Sequence, residues 1–78
     1  MVNSFVLITC DIGKEEIVME QLEQLNDVKE ILRVHGAYDL IAKVEGKSVD
    51  EVKKILENKI RTMRQIRSAM SLPLKLCN

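Results

Sequence analysis

The chain has no tryptophan, and only one phenylalanine, one tyrosine, one histidine and one proline; its glycines number three in 78 residues. So few breakers of regular structure, with 46% hydrophobic and 31% charged residues, exclude a disordered or low-complexity chain and describe one compact domain, residues 1–78. Cysteine is scarce as well. Cys10 and Cys77 are too few for a zinc site, and the turn after Cys10 reads Cys-Asp-Ile-Gly, without a second thiol. Both are read as reduced thiols, since antiparallel first and last strands would hold them toward opposite ends of the pair. His35 is the only histidine, stands in no carboxylate–histidine or cysteine spacing and is read as a half-exposed edge residue, so no metal and no cofactor is expected. With no nucleophile–base pair or cofactor fingerprint either, the chain is not expected to be an enzyme.

Long apolar runs are missing too. Nothing approaches the ~18 residues of a transmembrane helix. The opening MVNSFVLITCDIG lacks a basic region and a small-residue cleavage site, so a cytoplasmic protein with no membrane partner is expected. There is no excess of either charge: the net is zero and the pI about 6.6. That balance hides a division, −6 over residues 1–52 and +6 over residues 53–78. A nucleic-acid binder usually shows a domain-wide basic excess, so no direct nucleic-acid partner is expected. Arg61, Arg64 and Arg67 are read instead as a solvated or intersubunit ion-pair face.

What is present is strong patterning. Ser4 to Cys10 reads as a strand, and Lys14 to Leu25 as a helix with Ile17, Val18, Leu22 and Leu25 on one face. Val28 to His35 is a strand too charged for a central position, and Tyr38 to Glu45 is a third, largely apolar one. Ser48-Val49-Asp50-Glu51 is a capping box that opens a helix burying Val49, Val52, Ile55, Leu56 and Ile60; the preceding Gly46-Lys47 only imitates the end of a phosphate-binding loop. Arg64 to Leu76 is the last strand, and Pro73 assigns it to the other edge because proline donates no ladder hydrogen bond. The order βαββαβ with two right-handed crossovers gives an α+β, ferredoxin-like sheet 4-1-3-2 with both helices on one face.

Phe5 and Leu7 alternate with Val6 and Ile8, so the face that the helices leave open is apolar as well. A single core in a domain this small rarely yields more than ~3–5 kcal/mol. A second copy packed sheet to sheet, an isologous dimer of the dimeric α/β-barrel type, is the expected cover.

The segment VHGAYDLIAKVEG, Val34 to Gly46, carries the functional reading. Gly36 and Ala37 fit the centre of a type II′ turn closed by His35 and Tyr38, which places the carboxylate of Asp39 one residue into an apolar strand. Asp39 there either accepts a ligand ammonium or backbone N–H, or makes a local hydrogen bond or intersubunit ion pair that fixes the turn. Tyr38 is read first as a packing anchor. Gly36 serves its backbone conformation and would admit a ligand carboxylate to the turn amides.

A Gly-x-Tyr-Asp hairpin between VKEILRV and LIAKVEG, a first strand VLITC, and a closing IRTMRQIRSAMSLPL with Arg67 beside Ser68 resemble the ligand-binding half, or RAM domain, of the Lrp/AsnC transcription regulators. Ser4 already stands at the first RAM strand, so the chain looks like a stand-alone RAM protein without a helix-turn-helix. The resemblance implies a homodimer, a ring of dimers, and a small effector, commonly an amino acid, bound between dimers. Carried over by position, its contacts are Gly36, Tyr38 and Asp39 with Ile66 and Ser68 from neighbouring subunits; Ile66 stands where relatives often carry a hydroxyl. It also implies an assembly module able to join full-length relatives and tune their regulation of transcription. The alternatives are an ACT-like allosteric amino-acid-binding subunit, using the loop Asp11-Ile12-Gly13, and a small dimeric α/β-barrel enzyme, which the missing tryptophan and single edge histidine disfavour.

Overall fold

A computed structural model describes residues 1–73. The chain runs β1 (Val2–Cys10), α1 (Glu15–Glu23), β2 (Val28–Arg33), β3 (Leu40–Gly46), α2 (Val49–Ile55, continued by a π-helical turn over Leu56–Ile60) and β4 (Ile66–Pro73). The four strands form one antiparallel sheet in the order β2-β3-β1-β4, the expected 4-1-3-2 read from the other side, with β2 and β4 at the edges. The expected end of the last strand at Leu76, and Cys77, lie outside the described residues.

One face of the sheet makes the core. Val6, Ile8, Leu40, Ala42, Val44 and Ala69 meet Val18 and Leu22 of α1 and Val52, Ile55, Leu56 and Ile60 of the second helical segment. The period-2 alternation of β1 and β3 sends every second side chain there. Two residues expected on buried helix faces are instead partly exposed, Ile17 at 39% and Val49 at 41%. Val49 follows the N-cap directly, so it lies on the opening turn before the helix has come over the sheet; Ser48 Oγ accepts from the Glu51 N–H at 3.2 Å.

The second helix is not regular to its end. Arg61 N–H donates to the Leu56 carbonyl five residues back, at 2.8 Å, which widens the last turn. The extra residue keeps Ile60 fully buried and sends the Arg61 guanidinium across to β4, where Nε and Nη2 both donate to the Ala69 carbonyl, at 3.2 and 2.8 Å. That carbonyl belongs to the free edge. Ile8, the partner of Ala69, turns its own carbonyl toward β3 to accept from Asp39 N–H, so the Ile8–Ala69 pair is one whose backbone groups point away from each other. Glu57 pairs with the same guanidinium.

The opposite face carries no helix. Leu32, Ile41, Leu7 and Met70 stand side by side across all four strands, followed one step along by Glu30, Lys43, Phe5 and Leu72. Leu32 is 58% exposed, Met70 45% and Leu72 46%. An apolar row spanning a whole sheet is more than the scattered exposed residues ordinary surfaces carry.

Candidate functional site

The site forms where β1 ends between its two neighbours. The β2–β3 register is the expected one, with Arg33 opposite Leu40 and Val34 N–H donating to the Asp39 carbonyl at 3.0 Å; Gly36 holds φ +124°, open to glycine and strained for other residues. The strand itself begins later than expected, at Leu40 rather than Tyr38, so Asp39 is the residue before β3 and not the second within it. The reason lies in its partners. Asp39 N–H turns to Ile8 O at 2.9 Å, and one carboxylate oxygen, Oδ2, accepts the Cys10 N–H at 2.8 Å. Cys10 N–H faces the side where β3 has not yet begun, and the carboxylate stands in for the missing strand.

On the other flank Thr9 pairs with Ser68, and their hydroxyls hydrogen-bond to each other. The next pair is Cys10 with Ile66, so β4 has one residue too many, and that residue is Arg67. Asp39, Thr9 and Ser68 thus form a polar row beside the apolar one. They wall an open cleft of about 520 Å³, together with Arg67, Ile12, Glu15 and the backbone around Cys10 and Ala37. Glu15, in the first turn of α1, is held by Gly13 N–H at 3.3 Å and lies 3.9 Å from Arg33. Among the described residues no group of three acids, histidines or cysteines could hold a metal.

Burial first, and then the adjacent carboxylates of Asp39 and Glu15, push the Cys10 thiol up from its ordinary 9.0 to about 11. The thiol faces the core and keeps its proton at neutral pH, so it is not a nucleophile. In the unfolded chain the same thiol ionises near 9.0, so between the two values the unfolded state binds fewer protons. This contribution to stability is intact below pH 9 and is lost as pH rises toward 11. Urea midpoints followed through that window should fall more steeply for the native chain than for Cys10→Ala; equal slopes would remove the effect.

Residues 3–73 match the family model described as the Lrp/AsnC ligand binding domain. The chain belongs to this family. Among solved structures, this Lrp/AsnC domain is 37% identical to FFRP-DM1 with a TM-score of 0.91, over 96% of this chain and 100% of that one. It is 28% identical to AsnC of E. coli with a TM-score of 0.91, over 97% of this chain but 52% of AsnC. Homocitrate synthases of Saccharolobus islandicus and Saccharolobus solfataricus are 33% identical over 76 residues, 95% of this chain; the chain spans only 16% of their length.

Of the five positions carried over to this Lrp/AsnC domain by resemblance, Asp39 and Ser68 of one chain share the cleft. Ile66 faces an adjoining hollow of about 330 Å³ with Arg61, Arg67 and Ser68, and also packs against the core. Gly36 and the half-buried Tyr38 lie in the turn that leads to the cleft, which contributes Ala37 to its wall. The first strand–helix loop, where an ACT-like subunit would place its ligand, supplies Ile12 to the same cleft, 93% exposed. Sequence reasoning missed Thr9 as a site residue. Its hydroxyl ends an apolar strand, but its partner Ser68 is 59 residues away and meets it only when β1 and β4 pair.

Proposed function

We propose that this domain is an amino-acid-responsive assembly module. The effector binds at the cleft where Asp39, Thr9 and Ser68 line up, and the state of the assembly reports its presence. The observation that carries the reading is Asp39: one carboxylate oxygen serves the Cys10 N–H, and the residue lies half-buried at a cleft wall, which supports acceptance of a ligand ammonium by the other oxygen. The apolar row Leu32–Ile41–Leu7–Met70 supports a homodimer closed through the open sheet faces, and rings of such dimers would bring neighbouring subunits to the clefts, with Ile66, Gly36 and Tyr38 at their margins.

The relatives support a module whose output depends on its company. In AsnC the matching part is about half of a longer chain, and in the homocitrate synthases it is a small part of an enzyme. Joining full-length Lrp/AsnC relatives, and so tuning transcription, is one use of such a module; control of an associated enzyme is another. The domain itself senses and assembles and catalyses nothing, as a cytoplasmic protein.

Native mass spectrometry with each of the twenty amino acids tests the proposal by reading stoichiometry and occupancy together. Asp39→Asn is the informative variant, because the amide oxygen still accepts the Cys10 N–H while the charge is gone. A charge-assisted hydrogen bond contributes ~1.5–3 kcal/mol, so effector affinity should fall roughly 10–100-fold with the fold kept. Dissociation of the assembly with the affinity per site unchanged would make Asp39 an architectural residue only.

A further inference from the structure

We infer that Arg67 receives the effector's carboxylate, so that the ligand is an α-amino acid held as a zwitterion between Asp39 and Arg67 across the Thr9–Ser68 hydroxyl pair. The inference rests on reading the cleft as the effector site and adds the second pole of that site.

The β-bulge is the first observation. Between the pairs Thr9–Ser68 and Cys10–Ile66, Arg67 is the residue without a partner on β1, released from the alternation that governs the rest of β4. Bulges re-aim side chains, and this one turns an arginine into the wall of both the cleft and the adjoining hollow. Second, Arg67 is exposed and takes part in no ion pair among the described residues, whereas Arg33 faces Glu15 and Arg61 is held by Glu57 and Ala69. Its five donors stay available for a planar carboxylate, the partner that guanidinium geometry fits best.

Third, both poles line one cleft, Asp39 and Arg67 among its walls together with the hydrogen-bonded hydroxyls of Thr9 and Ser68. An α-amino acid carries its ammonium and carboxylate on one carbon and so presents one charge to each pole, with the hydroxyls as neutral partners. The turn around Gly36 is the competing seat for the carboxylate, but only Ala37 of that turn reaches the cleft. Ile12, almost wholly exposed at the rim, offers an apolar surface to the ligand side chain.

The test compares the amino acid that binds most tightly among the twenty with its own α-amide, which keeps the ammonium and side chain and lacks the carboxylate. By isothermal titration the wild-type domain should bind the amide roughly 10–100-fold more weakly. Arg67→Gln should weaken the amino acid by the same factor and leave the amide unchanged, with partial recovery in Arg67→Lys. Circular dichroism and the oligomeric state check each variant, and the amide comparison on the wild type needs no variant at all. Equal binding of acid and amide by the wild type overturns the inference while the effector site stands. An Arg67→Gln loss shared equally by acid and amide also overturns it, making Arg67 a residue that only shapes the cleft. If none of the twenty amino acids binds, the site reading itself fails and this inference with it.

Discussion

At micromolar concentration the wild-type domain is expected to sediment as a dimer and Leu7→Glu as a monomer. Leu7 sits between Ile41 and Met70 in the middle of the row that crosses the open face, and its side chain points away from the helices. A glutamate there leaves the helix-side core untouched. It would place an unpaired charge at the centre of a sheet-to-sheet contact, where a lone buried charge costs about 3–5 kcal/mol. An isologous interface carries every substitution twice, so the dissociation constant should rise at least about 10⁴-fold. Leu7→Met, which conserves volume, should remain dimeric. A wild-type monomer at these concentrations, or a dimer unchanged by Leu7→Glu, would defeat the face-to-face arrangement.

The second large effect concerns the core. Leu22 of α1 is fully buried in the core, and Leu22→Ala should lose about 2–5 kcal/mol, the transfer term plus the cavity left behind. One small core rarely supplies more than about 3–5 kcal/mol, so the variant would be largely unfolded unless association supports it. Its urea midpoint should therefore rise with protein concentration, as expected when only the folded form associates. Ile12→Ala is the control, since a side chain exposed at 93% should shift stability by no more than about 0.5 kcal/mol. A fall of less than about 1 kcal/mol in Leu22→Ala would mean that the site collapses around the gap.

The sheet order was legible because its two edges announced themselves, β2 through Lys29, Glu30 and Arg33 and β4 through Pro73, and only one simple crossover pattern satisfies both. The register of the hairpin was legible from Gly36 and Ala37. The start of β3 was not, because it depends on where β1 ends, a relation between strands distant in sequence. Asp39 shows the limit well. An acid beside an apolar strand announced a partner, but nothing local said that the partner would be the backbone of Cys10, 29 residues earlier. Thr9 and Arg67 escaped for a related reason. The bulge that brings them to one place contains no glycine or other marker and exists only once β1 and β4 lie side by side. The π-helical turn is likewise a compromise between burying Ile60 and reaching Ala69, and the heptad-like spacing of apolar residues could not show it.

The arginine that crosses from that turn to β4 has a consequence for how copies of the chain meet. A sheet recruits partners in two ways: face to face, which is finished once the second copy arrives, or edge to edge, where every new strand exposes another like it. Arg61 occupies an outward carbonyl in the middle of β4 and lays a guanidinium along the route an incoming strand would take. Strand addition along β4 is hindered at that point, whereas a contact through the open faces closes on itself.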